Sequence, residues 1–160
     1  MSIGSSLKDA LWMGDYPPSA FNFKVILGCS LGLTDTSFQE VSGIEASVSV
    51  EDQNEGGFNT VNYTLGQVKH PNLVLKRGLA PITSPLVMWC QSVFDLDYRV
   101  QTISMPLIVM LMNGDRDPLR VWMFNNALPV AWKIDAFNST KNEVALETIE
   151  LKYSGLTRIV

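Results

Sequence analysis

The sequence predicts a mainly β protein: a barrel or sandwich of about eight strands with one flanking α-helix. Three observations carry this. Residues 44–51 and 60–65 alternate apolar and polar with period two, the mark of strands with one face covered. Residues 105–112 and 119–124 are apolar on both faces and therefore covered on both. Only Ser84-Pro85 gives a strong helix start, a hydroxyl N-cap followed by proline at the first helical position.

Taken in order, residues 1–18 form an arm ending in Tyr16-Pro17-Pro18, and residues 19–160 form the folded domain. Phe21 to Leu27 reads as a strand closed by Gly28. Leu31 to Ser37, with Gly32 and several hydroxyl residues, reads as a loop, and Phe38 to Val41 as a short strand before Ser42-Gly43. In 44–51, Ile44, Ala46, Val48 and Val50 point one way; Glu45, Ser47, Ser49 and Glu51 point the other. Asp52 to Asn59 is a polar, glycine-rich hairpin tip. The returning strand Thr60 to Leu65 sets Val61, Tyr63 and Leu65 against Asn62 and Thr64. Asn72 to Lys76 is a short strand.

The helix runs from about Pro85 to Asp95, with Leu86, Val87, Trp89, Cys90, Val93 and Phe94 at helical spacing. Met105–Met112 and Leu119–Phe124 are strands joined by the turn Asn113 to Pro118, and Ala131–Ala136 is a separate strand after Pro129. Glu143 to Tyr153 closes the domain. Val144 and Leu146 sit in opposite phase to Ile149, Leu151 and Tyr153, so a bulge near Glu147-Thr148 is expected.

Composition narrows function. The formal net charge of −4 argues against coating nucleic acid or an anionic membrane. Only 18% of residues are charged, against a typical ~25%, and mean hydropathy is +0.12. A chain with so few charges has part of its surface covered by partners. His70 is the sole histidine, which removes most triads and zinc sites. Cys29 and Cys90 read as packed thiols in a reducing compartment. The start of the chain shows no secretory signal, and its longest apolar run falls far short of a membrane helix.

Each candidate for chemistry is outweighed by a simpler reading. Asp115 and Asp117 belong to a solvated hairpin, because the further ligands of a calcium loop are missing. Cys90 lies on the apolar side of the helix, and its one potential base, His70, precedes Pro71 in a loop. Glu51, Asp52 and Glu55 beside Gly56-Gly57 lack the lysine of a phosphate loop. Trp89, Trp122 and Trp132 have apolar neighbours and read as core. What stands out is the small, weakly acidic polar face of 44–51 and 60–65, suited to a surface past which something slides without sticking. Its strand edges would be a hazard unless copies pair them around a ring.

Val41-Ser42-Gly43-Ile44, Lys76-Arg77-Gly78, the Trp89 helix, Ala127-Leu128-Pro129-Val130-Ala131-Trp132 and the stretch Glu147 to Gly155 resemble, in order and spacing, the phage tail tube family of contractile tails. The resemblance covers about residues 16–158 and is strongest to inner-tube proteins of extracellular contractile injection systems, relatives of the type VI secretion tube. It implies a tail-tube-type barrel subunit without catalytic residues, cofactor or metal. Six copies would form a ring around a channel, and rings would stack into a tube inside a contractile sheath. Firing would drive the tube through a target envelope, with protein cargo able to travel in the lumen.

By the same resemblance, Glu45, Ser47, Ser49, Glu51, Asn62 and Thr64 line the channel. Asp52, Asn54, Glu55, Gly56, Gly57 and Phe58, with Trp12 of the arm, contact a neighbouring subunit or ring. The implied partners are further copies of the chain, sheath protein, baseplate or spike, and tube paralogues, with no specific nucleic-acid binding and no stable membrane insertion. The implied setting is synthesis in a bacterial cytoplasm and assembly into a phage tail-like particle that can be released. The arm leaves room for a tube-initiating paralogue at the baseplate. A monomeric barrel binding a small ligand, and a thiol hydrolase using Cys90, are the alternatives from other classes.

Overall fold

The computed structural model describes residues 22–28, 33–53, 56–57, 59–95, 104–141 and 144–160. The strands are β1 (Phe23–Leu27), β2 (Thr34–Ser42), β3 (Ser47–Gln53), β4 (Asn62–Lys69), β5 (Leu73–Gly78), β6 (Met105–Met112), β7 (Pro118–Ile134), β8 (Leu146–Lys152) and β9 (Gly155–Arg158). The helix α1 spans Pro85–Asp95, as its N-cap and apolar spacing predict. Six strands close on themselves in the order β6-β1-β2-β5-β8-β7, because β6 also pairs with β7. The barrel, expected from the sequence, therefore closes within one copy. β9 pairs with the first half of β7, and β3 with β4 forms a separate two-stranded sheet.

The barrel interior is filled with side chains. Val25, Leu27, Phe38, Leu73, Leu75, Leu107, Val109, Phe124, Ile149 and Leu151 are buried there, joined by Leu86, Trp89 and Cys90 of α1. The period-two burial of β5 and the near-complete burial of these apolar groups is the main stabilising contribution, about 1.5–3 kcal/mol for each large side chain.

Several boundaries differ from the sequence reading, each for a physical reason. Thr34 to Ser37 belong to β2, not to a loop, because β1 pairs with them (Val25 with Asp35, Ile26 with Thr34), and a ladder outweighs the turn preference of hydroxyl residues. β4 continues past Leu65 to Lys69, carrying Gly66 in a bulge opposite Ser49. The expected strands 119–124 and 131–136 merge into one 17-residue strand that ends at Ile134. Pro129 is tolerated inside it because the register slips between Pro129 and Ala131, where a missing N–H matters least. β9 follows Tyr153 and was not anticipated.

The expected bulge at Glu147-Thr148 is absent: β8 pairs with β5 in unbroken register from Leu73–Leu151 to Gly78–Leu146. Glu147 is itself an inward residue, 1% exposed and in phase with Ile149 and Leu151. The side chain it faces explains this. Arg77 of β5 donates from Nε to Glu147 Oε2 at 3.1 Å and from Nη1 to Asp35 Oδ1 at 2.8 Å. Its Nη2 donates to Ser84 Oγ at 2.7 Å. Ser84 Oγ donates to Asp35 Oδ2 at 2.7 Å, which also accepts the Leu86 N–H at 2.8 Å. Trp132 Nε1 donates to Glu147 Oε1 at 2.7 Å, and the guanidinium lies 4.8 Å from the centre of the Phe38 ring. Buried charges persist only when paired and fully hydrogen-bonded. This network ties β2, β5, β7 and β8 together and seats the N-terminus of α1 on a carboxylate.

Candidate functional site

The feature left over from the barrel is the β3–β4 hairpin. Its register pairs Val48 with Val68, Val50 with Leu65 and Asp52 with Tyr63 on one face. On the other face Ser47 pairs with Lys69, Glu51 with Thr64 and Gln53 with Asn62. The split between an apolar and a polar face predicted from the sequence is kept, and Val68 joins the apolar set because the bulge at Gly66 and Gln67 restores its phase. An added Cβ at Gly66 would meet Ser49 Oγ, so the smallest residue stands where the bulged strands come closest.

The sequence expected half-buried strands with this face covered; in the single copy the face is bare. Every residue of β3 and β4 is exposed, with Leu65 at 73%, Tyr63 at 68% and Val48 at 40%. The alternation that predicts cover is present, but among the described residues no layer covers it. An apolar sheet face of this kind marks an interaction surface, and among the described residues β3 and β4 pair only with each other, which leaves an outer edge on each strand beside it.

The predicted channel residues fall as follows. Ser47, Glu51, Asn62 and Thr64 share the polar face, Ser49 sits at the bulge, and Glu45 lies in the link before β3; all are exposed. Of the predicted contact residues, Asp52 lies within β3 on the parity of the apolar face rather than at the tip, and Gly56 and Gly57 form the turn, Gly57 at φ +113°. Trp12, Asn54, Glu55 and Phe58 lie outside the described residues.

The remaining candidates for chemistry are occupied structurally. Burial pushes the Cys90 thiol up to about 12, with the nearby Glu147 carboxylate adding to the effect. Such a thiol is not a nucleophile at neutral pH. His70 is elsewhere, against Tyr153 at the root of the hairpin, with ring centroids 4.9 Å apart. Asn113 Oδ1 accepts the N–H groups of Asp115 and Asp117 at 2.9 and 2.8 Å, which makes that turn self-sufficient. Among the described residues, no group of three or more His, Cys, Asp or Glu is placed to hold a metal ion, and no helix is long and apolar enough to cross a membrane. The ion network was missed by the sequence reading. Its signal was parity: Arg77 follows Leu73 and Leu75 on one face, as Glu147 precedes Ile149 and Leu151.

Comparison with known proteins bears on this arrangement. A chain of the structure described as "Cryo-EM structure of the anti-feeding prophage (AFP) baseplate, 6-fold symmetrised" is 27% identical, with a TM-score of 0.72, covering 90% of this chain and 95% of that one. A chain of the extended "PVC sheath-tube complex" of an extracellular contractile injection system superposes with a TM-score of 0.76 at 22% identity over 99% of both chains, sharing the fold. Hcp1 from Salmonella typhimurium shares it more distantly, with a TM-score of 0.53 at 13% identity over 87% of this chain and 85% of that one. No curated protein sequence matches significantly. The family model for the T4-like virus tail tube protein gp19 matches residues 19–157, and the chain belongs to that family.

Proposed function

We propose that this tail tube protein is a structural subunit of the inner tube of a contractile injection apparatus. Six copies form a ring in which each hairpin lays its apolar face, Val48, Val50, Tyr63, Leu65 and Val68, against the neighbouring copy. The open edges of β3 and β4 pair between copies, so that the hairpins make one continuous inner barrel and no edge is left free. The polar face, with Ser47, Glu51, Asn62 and Thr64, then lines the channel, short-chained and weakly acidic, where cargo can pass. Rings stack through the hairpin tip 51–59 and the arm. Sheath, baseplate and spike proteins complete a phage tail-like particle, and the subunit's role is mechanical rather than catalytic.

The observation that carries this reading is the uncovered apolar face of the hairpin on a barrel that is otherwise closed and filled. A single-chain ligand-binding barrel would keep an interior cavity and cover its own sheets; this barrel's interior is packed with side chains. Negative-stain microscopy of the purified protein tests the reading. Rings or tubes with a central hole support it, and featureless particles the size of one copy at high concentration refute it. The 27% identity to a chain of a baseplate structure favours a second reading, a tube-initiating copy. Counting copies per particle by quantitative mass spectrometry separates one ring's worth from many.

A further inference from the structure

The hairpin joins the barrel at two crossings: residues 43–46 on the way out and 70–72 on the way back. Gly43 is at φ +86°, and an added Cβ there would meet the carbonyl oxygen of Asn72, so the two crossings touch backbone to backbone. Tyr153, in the link between β8 and β9, reaches this point from the barrel. Its hydroxyl lies 2.7 Å from the Gly43 carbonyl oxygen and 3.1 Å from that of Glu45, and its proton is shared between them. His70, on the return crossing, donates from Nδ1 to the same Glu45 carbonyl at 3.0 Å, and its ring lies against the Tyr153 ring. Tyr153 is anchored in turn by an edge-to-face contact with Phe124 of the core, centroids 4.8 Å apart at 79°.

We propose that Tyr153 and His70 form a clamp on the hairpin root, fixing the angle between the hairpin and the barrel before any second copy is met. The chain of contacts runs from Phe124 in the core through Tyr153 to the outbound crossing, and from the return crossing through His70 to the same carbonyl. The strands beyond it are exposed on both faces, so the root is where the barrel sets their direction. A hairpin left free at its root would have to be ordered at the moment of association, which weakens binding; holding it beforehand removes that cost. Both residues are positioning residues, and the assembly half of the claim rests on the tube reading above.

The test compares the full chain with its Tyr153→Phe and His70→Ala variants. Tyr153→Phe keeps the ring packed on Phe124 and removes only the hydroxyl. Amide hydrogen exchange on unassembled protein is expected to accelerate about 2- to 10-fold at Ser47, Val48, Val68 and Lys69, the ladder pairs next to the root, in either variant. Exchange at Leu75 and Val109 in the barrel stays at the wild-type rate. The protein concentration needed for assembly is expected to rise by a similar factor. Unchanged exchange at the root overturns the clamp. So does faster exchange with undiminished assembly, because the root would then be held without mattering. If the wild-type chain never assembles, the tube reading fails, and the exchange contrast alone decides whether the clamp exists. A global rise in exchange in one variant marks misfolding, and the other variant then decides the matter.

Discussion

Replacing Leu65 by Asp separates what the hairpin does for one copy from what it does between copies. Leu65 is 73% exposed and lies outside the core cluster. Full burial of a leucine side chain is worth about 1.5–3 kcal/mol, so roughly 1–2 kcal/mol of that remains to be gained when a neighbour covers it. An aspartate at the same place forfeits this gain and brings an unpaired carboxylate into the contact, costing several kcal/mol more. A loss of about 4 kcal/mol per contact corresponds to roughly a thousandfold higher concentration for association. The lone subunit is barely touched, because an exposed substitution changes stability by about 0.5 kcal/mol, a shift of 1–2 °C in Tm. The assay is size-exclusion chromatography with light scattering beside a thermal melt. Ser47→Glu is the control on the opposite face, where the new carboxylate sits across from Lys69. The reasoning is refuted if Leu65→Asp assembles at wild-type concentrations, or if Ser47→Glu is the variant that fails.

Glu147→Ala removes one partner of a guanidinium whose side chain is 4% exposed and leaves Trp132 Nε1 without its acceptor. It should lower unfolding free energy by about 3 kcal/mol in urea titration, Asp35 retaining part of the compensation; a loss below about 1 kcal/mol would show that the network is not structural. Cys90 gives a pH dependence of definite sign. The unfolded thiol releases its proton near 9.0, while the folded one holds it to about 12. Its contribution is therefore fully present below pH 9.0 and is lost as pH rises from there towards 12. The full loss is about 4 kcal/mol, and Cys90→Ala should flatten that part of the stability profile. An equal alkaline slope in the two proteins would contradict the assignment.

The fold was legible where local chemistry and tertiary demand agree. The N-cap Ser84-Pro85 predicts α1 because Ser84 Oγ does accept the Val87 N–H, at 3.4 Å, and the unbroken apolar run 105–112 is β6 with the bounds read from the sequence. It was obscured where partners far along the chain decide. Pro129 looked like a break because nothing local announces the register slip beside it, and Thr34–Ser37 looked like a loop because their β1 partners lie across a turn. A bulge was expected because Leu146 and Ile149 differ in phase; that Glu147 takes the inward place instead was hidden, because its compensating Arg77 comes 70 residues earlier. The two faces of the hairpin were readable from period two alone. That its apolar face lacks cover in one chain was not, since alternation records which face is hidden and says nothing about which molecule hides it.

The most direct measurement is a cryo-EM map of whatever the purified chain forms at high concentration. The account predicts rings in which Val50, Tyr63 and Leu65 of each copy are covered by the next, with Ser47, Glu51, Asn62 and Thr64 facing the hole. Rings whose hole is lined by the apolar face, or a solution of single copies with the hairpin still bare, would contradict it.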